Sequence, residues 1–522
     1  MSTATALVRA ASVVDLMNNP SSYPEHPSSV QLIETHISWV FLTDRNAYKL
    51  KKPVRFEFLD FSTAELRHRA CQEELRLNRR LAPDVYIDVL PITQDPSGLL
   101  ELNGRGQEVD WVVKMLRLPA HTALDIILSE NRLRPEDSED IAKHLINFYA
   151  GLLPKPLSSD DYRQALDRHI RANGMALLES LPAERARLRR IQSAQLRYLN
   201  VRTELIDKRV ATGRIVDGHG DLRPEHIYLD GHPIVIDCIE FSDELRTVDI
   251  ADELSFLSME CRRLGDGRVG EVVISQYQRV CKDEIPETLL AFYAGYRALV
   301  RAKVALLRDQ QLAAKISQPS ADLIRQYVDL ADSYAEKLGP PVLLIVGGLM
   351  GTGKSTLAVK LADTLGVESI STDLVRHSML GPSKVPASYG EGHYLPDMRS
   401  RVYEELLRQA SEHLKDRQSV VLDGTFLTDG LRTRAYDLGY RYGAETLHVQ
   451  CTCPRQIAYA RIQQRVDTGQ SESEARTELH DLQARDYQPL LADDPSITID
   501  TTQPISQQVS VVCAELGRRL FD

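Results

Sequence analysis

A segment from Val342 to Leu365 constrains the fold of this chain more than any other part of its sequence. Val342 to Val346 is a run of apolar, mostly β-branched residues of the kind that forms a buried parallel strand. The octet GLMGTGKS follows at Gly348, and the residues from Thr356 onward have helical spacing. This octet fits G-x-x-x-x-G-K-[ST], the P-loop. The order of strand, glycine-rich turn and helix therefore predicts a phosphate-binding turn.

The octet supplies the groups that hold a nucleotide phosphate. Its glycines let the backbone curl so that N–H groups and the helix start point at a β-phosphate. Lys354 would neutralise the β- and γ-phosphate oxygens, and the Ser355 hydroxyl would bind Mg²⁺. The predicted ATP and Mg²⁺ site comprises Gly348, Gly351, Thr352, Gly353, Lys354, Ser355 and Thr356. A glycine-rich turn with a lysine by chance is the alternative, and it leaves the flanking strand and helix unexplained.

The composition is that of a soluble globular chain, with 43% hydrophobic and 26% charged residues among 522. At ~150 residues per domain, the length predicts three or four folding units. The formal net charge of −11 argues against non-specific binding to nucleic acid or to an acidic membrane surface. No apolar run approaches the ~20 residues of a membrane span, and no signal-peptide core is seen. We therefore expect a cytoplasmic protein without a membrane partner.

The seven cysteines are an odd number without C-x-x-C pairs, which predicts reduced, partly buried thiols. Cys451 and Cys453 fall on one face of a predicted strand. No further histidine or cysteine spacing supports a metal site there.

The first part of the chain has the pattern of a small mixed lobe. Residues 34–42 and 47–52 alternate around a turn, which predicts a β-hairpin that carries Lys49. A charged helix is predicted from Glu65 to Leu81, and further strands over residues 85–92 and 109–116. Together these elements predict a small lobe over about residues 30–118. From there to residue 335 the pattern is mainly helical, which predicts a large lobe over about 119–335.

A second informative stretch lies between Ile215 and Phe241. It contains His219-Gly-Asp221 between two short apolar segments, and the second of these ends in Asp237. This pattern resembles the aminoglycoside phosphotransferase branch of the protein-kinase-like fold, over most of residues 30 to 330. The resemblance implies that Asp221 accepts the proton of a substrate hydroxyl and that Asp237 holds Mg²⁺ on the phosphates.

The same resemblance implies that Lys49 binds the α- and β-phosphates of ATP, with Glu74, or less favourably Glu73, as its helix partner. The family's asparagine in the H-G-D-x-x-x-x-N loop falls on His226, which is then expected as a metal ligand. No G-x-G-x-x-G loop precedes Lys49. A kinase-shaped domain that binds a ligand without phosphate transfer therefore stays open as an alternative.

The C-terminal part predicts a doubly wound parallel sheet. Beyond the P-loop, apolar segments end at Asp373 and Asp423, and two more cover residues 446–453 and 497–500, with helices between them. Asp423 has the Walker-B position and would hold Mg²⁺ through water. Gly339-Pro-Pro341 breaks the preceding helix, so we predict an N-terminal kinase-like domain over residues 1–335 and a P-loop domain over 338–522. The predicted fold class is α/β and α+β.

The P-loop part resembles small-molecule and polynucleotide kinases. The resemblance rests on Ser-Thr-Asp373-x-x-Arg376 after the second strand and on Arg461 and Arg465 at i, i+4 of a predicted lid helix. It implies that these two arginines face the transferring phosphoryl group. Asp373 is then the base for an acceptor hydroxyl, and Arg376 clamps an acceptor phosphate. An arginine pair at this spacing is also common on solvated helix faces.

The whole chain resembles bacterial bifunctional proteins that join an aminoglycoside phosphotransferase-like domain to a P-loop ATP-binding domain of the AAA, polynucleotide-kinase or zeta-toxin kind. This implies a kinase with two ATP and Mg²⁺ sites and hydroxyl acceptors: a small molecule, a nucleotide, a polynucleotide 5′-hydroxyl or a sugar. The alternative is a regulatory protein with a ligand-sensing pseudokinase domain and an ATP-hydrolysing switch domain. An aminoglycoside acceptor would require an acidic cleft, for which Asp249, Asp252, Glu253 and Glu260 are the candidates.

Overall fold

The computed structural model describes residues 3–56, 59–312, 320–381, 396–468 and 477–521. It contains two compact units whose segments alternate along the chain. Unit 1 comprises Met1–Leu157, Arg209–Ala294 and Gln310–Lys315, and unit 2 comprises Ser158–Lys208, Gly295–Asp309 and Ile316–Asp522. Among the described residues, no helix is both long enough and apolar enough to cross a membrane.

The chain up to residue 281 contains ten helices and twelve strands within its described residues. The helices are α1 (Thr3–Asn18), α2 (Ala64–Asn78), α3 (Leu124–Ser129), α4 (Pro135–Ala150), α5 (Ser159–Ser180), α6 (Arg185–Val201), α7 (Thr203–Ala211), α8 (Asp243–Arg246), α9 (Ile250–Arg263) and α10 (Arg268–Cys281). The strands are β1 (Gln31–Glu34), β2 (Ser38–Leu42), β3 (Asn46–Lys51), β4 (Arg55–Phe56), β5 (Leu59–Asp60), β6 (Tyr86–Gln94), β7 (Leu100–Leu102), β8 (Gln107–Leu116), β9 (Ile215–Asp217), β10 (Ile227–Asp230), β11 (His232–Val235) and β12 (Thr247–Asp249).

The remaining elements follow from residue 287. The helices are α11 (Glu287–Leu312), α12 (Ala321–Ala335), α13 (Lys354–Leu365), α14 (Thr372–Leu380), α15 (Pro396–Lys415), α16 (Asp429–Arg441), α17 (Arg455–Thr468), α18 (Thr477–Asp486) and α19 (Ile505–Phe521). The strands are β13 (Val342–Gly347), β14 (Glu368–Ser371), β15 (Val420–Asp423), β16 (Glu445–Thr452) and β17 (Ser496–Asp500). Short 3₁₀ turns lie at Pro20–Ser22, Ala120–Thr122, Pro182–Glu184, Pro224–His226 and Glu336–Leu338.

Unit 1 contains a six-stranded sheet in the order β1-β2-β3-β8-β6-β7, in which neighbouring strands are antiparallel. The predicted hairpin is confirmed as β2 and β3, and Lys49 lies opposite Val40 on β2 and Val113 on β8. Helix α2 packs on β8 and β6. It begins after Thr63, whose hydroxyl accepts a hydrogen bond from the Leu66 N–H at 3.3 Å and so caps the helix.

Unit 2 contains a parallel sheet in the order β14-β15-β13-β16-β17, which confirms the predicted five strands. The side chains of β13 are apolar on both faces of the sheet, so helices cover both faces. Val342, Leu344 and Val346 share a core with residues of α13 and α19. Leu343 and Ile345 pack instead with residues of α15 and α16.

Helix α6 belongs to unit 2, although the sequence analysis placed it in the N-terminal domain. Val201, at the end of α6, lies in the same core as Leu361 of α13 and Val512 of α19. The Asn200 side chain also donates to the Thr364 carbonyl at 3.1 Å. The predicted domain limits at residues 335 and 338 remain predictions, and the compact units divide the chain differently.

Candidate active site

The P-loop of unit 2 has backbone angles that only glycine adopts without strain. Gly348, Gly351 and Gly353 have φ angles of 143°, 81° and 87°. A Cβ atom at Gly348 would lie 2.7 Å from the Cys451 carbonyl oxygen, and one at Gly351 would lie 2.6 Å from the Ala458 carbonyl oxygen. Both contacts are with backbone, which cannot move aside. These glycines therefore let the turn approach β16 and α17 closely.

Thr501, which the sequence analysis missed, ties this turn to Arg461. The Thr501 hydroxyl donates to the Thr352 carbonyl at 2.5 Å. Arg461 in turn donates to the Thr501 hydroxyl at 3.0 Å and to the Thr501 carbonyl at 2.8 Å. Arg461 thus lies beside the P-loop, bound to the residue that follows β17.

A cleft lies where the P-loop, α14, α15 and the C-terminal end of β15 meet. It brings together six residues predicted from the sequence: Lys354, Ser355, Asp373, Arg376, Asp423 and Arg465. It also contains residues that the sequence analysis missed: Met350, Thr372, Arg399, Tyr403, Thr425, Leu427 and Gln483. Arg465 therefore lines the cleft, whereas Arg461, one turn earlier on α17, does not.

Asp423 lies at the C-terminal end of β15, opposite Val346 of β13. Its Oδ1 atom is buried and has no hydrogen-bond partner among the described residues. Burial raises the pKa of the Asp423 carboxyl, and the nearby Lys354 charge opposes this shift. A buried carboxylate oxygen without a partner, next to the Ser355 hydroxyl in one cleft, is the donor set that Mg²⁺ prefers. These residues fit the predicted metal ion.

Asp373 and Arg376 bind each other in the first turn of α14. The Ser371 hydroxyl caps this helix by accepting from the Asp373 N–H at 3.2 Å. Arg376 Nη1 then lies 2.5 Å from Asp373 Oδ1. The predicted base and the predicted clamp are therefore one ion pair in this structure, on the wall of the cleft.

The lining of the cleft is more cationic than anionic. Its charged residues are Lys354, Arg376, Arg399 and Arg465 against Asp373 and Asp423. Such a surplus of positive charge in a concave site attracts phosphate and carboxylate groups. The chemistry of the cleft is thus suited to anionic ligands.

Unit 1 contains a second cluster of predicted residues. Lys49 Nζ lies 2.8 Å from Glu74 Oε1 and 2.6 Å from Asp237 Oδ1, so strand, helix and loop meet as the resemblance implied. Burial raises the pKa of Glu74, but the charges of the neighbouring lysines outweigh it and lower the pKa overall. Asp237 has a φ of 65°, in the left-handed region that is uncommon for non-glycine residues and that aspartate enters more readily than most. Glu73 instead pairs with Arg76 on the surface of α2.

Lys51 extends this cluster and was not predicted. Its ammonium group is fully buried and lies 2.6 Å from Glu74 Oε2, and it also bonds to the Glu240 carboxylate. Burial raises the pKa of Glu240 in spite of the Lys51 charge. Lys49 and Lys51 are two positions apart on β3, so both side chains reach the same face and share Glu74.

The His-Gly-Asp loop is held by a buried acid of α9. Gly220 has a φ of 86°, and its N–H donates to the Glu253 carboxylate. The other oxygen of Glu253 accepts from the Tyr149 hydroxyl at 2.9 Å. His219 Nε2 bonds to the Ile236 carbonyl at 2.9 Å, and its Nδ1 accepts from the Asp221 N–H at 3.2 Å. This pattern requires a neutral ring, in line with burial, which lowers the pKa of His219.

The predicted catalytic Asp221 is close to Arg223 and His226. Arg223 Nε donates to Asp221 Oδ2 at 3.1 Å, and Arg223 Nη2 lies 3.0 Å from His226 Nε2. His226 Nδ1 lies 2.9 Å from the Asp221 carbonyl oxygen. The carbonyl requires a proton on Nδ1, so Nε2 accepts from the guanidinium. Burial and the Arg223 charge lower the pKa of His226, which favours this neutral ring.

This arrangement does not fit the expected metal role of His226. Nε2 is 3.5 Å from Asp237 Oδ2, but its lone pair already accepts the Arg223 N–H. A metal ion would have to displace that guanidinium. Among the described residues, no group of three or more histidine, cysteine, aspartate or glutamate side chains is arranged for a metal ion.

The four acidic residues considered for an aminoglycoside cleft are buried, which is a correction to that hypothesis. They are Asp249, Asp252, Glu253 and Glu260. Asp249 pairs with Arg209 at 2.6 Å, and Glu260 pairs with Arg263 at 2.7 Å. Buried carboxylates cannot form an open acidic cleft for a polycation.

Comparison with known proteins relates both units to one family. The uncharacterized protein Rv2004c of Mycobacterium tuberculosis is 32% identical over 467 residues, which cover 86% of this chain and 90% of that protein. The chain belongs to the family of this mycobacterial protein. In this chain, residues 343–490 match the family model of the AAA domain. That match includes the P-loop, Asp373 and Asp423.

Two solved structures are similar to parts of this family member. A putative kinase from Chloroflexus aurantiacus is 26% identical with a TM-score of 0.29, and it covers 34% of this chain and 98% of its own. A choline/ethanolamine kinase family protein from Mesorhizobium loti is 13% identical with a TM-score of 0.35, and it covers 62% of this chain and 94% of its own. At these TM-scores the likenesses carry no inference about function.

Proposed function

We propose that unit 2 is an ATP-dependent phosphotransferase that acts on a hydroxyl acceptor. One observation carries this proposal: a single cleft contains the P-loop groups Lys354 and Ser355, the buried Asp423, and the ion pair of Asp373 and Arg376. Lys354, Ser355 and Asp423 would bind the phosphates and metal ion of a nucleotide, and the Asp373–Arg376 ion pair would bind the acceptor. Arg399 and Arg465 add positive charge around the space between them.

The residues of the cleft have separate roles in this proposal. Lys354 binds the phosphate oxygens and stabilises the charge that develops as the phosphoryl group moves. Asp373 accepts the proton of the attacking hydroxyl through one carboxylate oxygen. Arg376 holds that carboxylate in place and binds an anionic group of the acceptor, and Arg465 faces the transferring group. Ser355 and Asp423 would hold Mg²⁺, which when bound neutralises phosphate charge and orients the leaving group.

The positive lining favours an acceptor that carries its own negative charge. A phosphosugar, a nucleotide or a polynucleotide with a free 5′-hydroxyl satisfies this condition, because each places a phosphate near a hydroxyl. A cationic acceptor is disfavoured, because Arg376, Arg399 and Arg465 would repel it.

For unit 1 we propose a second nucleotide site. The contact of Lys49 with both Glu74 and Asp237 favours it. In kinase-like folds a strand lysine binds the phosphates, a helix glutamate positions that lysine, and an aspartate holds Mg²⁺. Asp221 would act as the base on a small-molecule hydroxyl, and Asp237 would hold Mg²⁺. In the regulatory alternative, unit 1 binds a ligand without transferring a phosphoryl group. That alternative requires only Lys49 and the acids that it contacts.

A phosphate-transfer screen on the full chain tests both proposals. ATP labelled in the γ-phosphate is offered with nucleosides, oligonucleotides, sugars, phosphosugars and aminoglycosides, and the labelled products are separated. Transfer that is lost in Lys354→Ala but kept in Lys49→Ala assigns the reaction to unit 2, and the reverse assigns it to unit 1. Release of inorganic phosphate with no labelled acceptor in any class would support the ATP-driven switch instead.

A further inference from the structure

A small cavity lies at the N-terminal edge of the parallel sheet in unit 2. Gly339 and Pro341, which precede β13, and Ser419, which precedes β15, form one side of it. The proposed active site lies at the C-terminal ends of the same two strands. The cavity is therefore a different place in the fold, and the proposed reaction makes no use of it.

Arg197 of α6 is buried in this cavity without an acidic partner. Only 3% of the residue is exposed. Its guanidinium donates to the Leu338 and Gly339 carbonyls at 3.0 Å each and to the Ser419 hydroxyl at 3.2 Å, all of which are neutral acceptors. Nε has no partner among the described residues. Burial lowers the pKa of Arg197 to about 10, so it remains charged at neutral pH.

Two serine hydroxyls of the same cavity have unused hydrogen-bonding capacity. Ser193 Oγ, one turn before Arg197, is buried and has no partner among the described residues. Ser419 Oγ accepts from Arg197 and from the Val342 N–H at 2.9 Å. Because both of its acceptor positions are used, the Ser419 hydroxyl proton is available to a further acceptor. Arg197 Nε and the hydroxyls of Ser193 and Ser419 can therefore each donate a further hydrogen bond into the cavity.

Two more arginines and one acid, Glu336, line the cavity, so arginines outnumber acids in its lining. Arg190 binds Asp332 through Nε and Nη2, and Arg417 lies 3.4 Å from Glu336. These two arginines have acidic partners, and Arg197 has none among the described residues. Buried charges in proteins are paired because an isolated charge is strongly disfavoured away from water. Arg197 therefore lacks the opposite charge that a buried guanidinium requires.

We propose that this cavity binds one small inorganic oxyanion of the phosphate class. Its oxygens would accept from Arg197 Nε, from the Ser193 and Ser419 hydroxyls, and from Arg417 at the open side. A tetrahedral oxyanion offers several acceptors to converging donors, which matches this arrangement. Since the donors come from α6 and from the segment before β15, the bound ion would join two separate parts of unit 2.

Thermal unfolding of the full chain tests the proposal. All measurements use a Lys354→Ala background, so that phosphate binding at the P-loop does not contribute, and ionic strength is held constant with chloride. Inorganic phosphate at about four times its dissociation constant should raise the Tm of unit 2 by roughly 2–4 °C. Ser193→Ala and Arg417→Gln should each remove most of that rise. Arg408→Gln, which removes an arginine of similar exposure that pairs with Glu405, should keep it.

Titration calorimetry with inorganic phosphate in the same background gives a second measurement. The heat of binding at one site should disappear in the double variant Ser193→Ala/Arg417→Gln and remain in Arg408→Gln. Neither variant alters Arg197, so the test does not depend on whether an Arg197 variant folds. Sulfate in place of phosphate should reproduce the effect, as expected for the oxyanion class. A phosphate response that is absent, or that is equal in all three variants, overturns the proposal and leaves Arg197 as a tie between backbone carbonyls.

Discussion

At the scale of single residues, Lys354 and Asp423 define the nucleotide end of the unit 2 cleft. Lys354→Ala removes the charge that stabilises the moving phosphoryl group, and Asp423→Asn weakens the predicted Mg²⁺ site. Each should lower turnover at this site by about 10² or more. Steady-state ATP turnover of the full chain in a Lys49→Ala background, which removes the contribution of the proposed unit 1 site, measures this. Lys360→Ala, which removes an exposed lysine of the same helix paired with Asp363, is the matched control and should change turnover little.

Asp373 has two candidate roles, and its amide variant separates them. As a general base, Asp373→Asn should lower kcat by roughly 10²–10⁴ while the affinity for Mg·ATP stays near normal. The physical reason is that the base acts on the acceptor, whereas a metal ligand acts on the nucleotide. Calorimetric titration of Mg·ATP into the variant decides between them, and a large loss of affinity would assign Asp373 to the metal.

Residue roles could be anticipated only where a local motif carries them. The P-loop residues, Asp373 and Asp423 follow apolar strands or glycines in a recognisable spacing, and the structure gathers them in one cleft. Arg399 and Thr501 have no such signal, because each reaches its site from a separate helix or strand end. Lys51 had a usable signal: it lies two positions after Lys49, so alternation along β3 places both on one face.

At the scale of elements, β16 contains a histidine that makes unit 2 sensitive to acid. His448 is fully buried, and its Nδ1 lies 3.0 Å from the Tyr436 hydroxyl. Burial, aided by the Arg432 charge, lowers the pKa of His448 to about 3. In the unfolded chain the His448 ring therefore takes up a proton near pH 6.5, whereas in the folded chain it stays neutral to about pH 3. The free energy of unfolding of unit 2 consequently decreases as the pH falls from 6.5 towards 3.

This difference predicts that the free energy of unfolding of unit 2 falls by about 2 kcal/mol more between pH 7.5 and pH 5 in the natural chain than in His448→Gln. Denaturant unfolding at the two pH values measures it. The comparison with the variant removes the contribution of the other histidines. An identical fall in both chains would show that His448 is protonated in the folded state.

The His-Gly-Asp loop of unit 1 depends on α9 through Glu253. Glu253→Gln keeps the size of the side chain but leaves one acceptor for the two donors, Gly220 N–H and Tyr149 hydroxyl. A buried donor without a partner costs about 1–3 kcal/mol, and the variant should lose that much stability. Denaturant unfolding checks the loss. Glu139→Gln, at an exposed position of α4, is the control and should lie within about 0.5 kcal/mol of the natural chain.

At the scale of the whole molecule, a fragment that comprises only residues 338–522 should not be stable by itself. It would lack α6, so Val201 would leave the core that it shares with Leu361 and Val512. This fragment should bind hydrophobic dyes and unfold without a sharp transition, whereas the full chain should not bind the dye. Circular dichroism melts and dye fluorescence measure this. A sharp transition at the Tm of unit 2 in the full chain would contradict the role given to α6.

The architecture of the sheets could be predicted and the grouping of the helices could not. The strands β13 and β15 of unit 2 are short apolar runs, and β2 and β3 alternate around a turn, so local pattern is sufficient for these strands. The apolar face of α6 shows that the helix packs, but not on what, because a helix face of this kind fits several partners. Proline and glycine at residues 339–341 mark a break in a helix, and a break is not by itself a boundary between cores.

The position of α6 in the sequence has a consequence for how the polypeptide reaches its native state on the ribosome. Val201 is translated roughly 300 residues before Val512, its neighbour in the core, which at about 5–20 residues per second is a delay of about 15–60 s. During that interval α6 can pack on α5, but its residues that pack on α13 and α19 have no native partner, and unit 1 still awaits its own segment from Arg209 to Ala294. Nascent chains should therefore recruit chaperones from the moment α6 emerges, and release them only when α19 has been made.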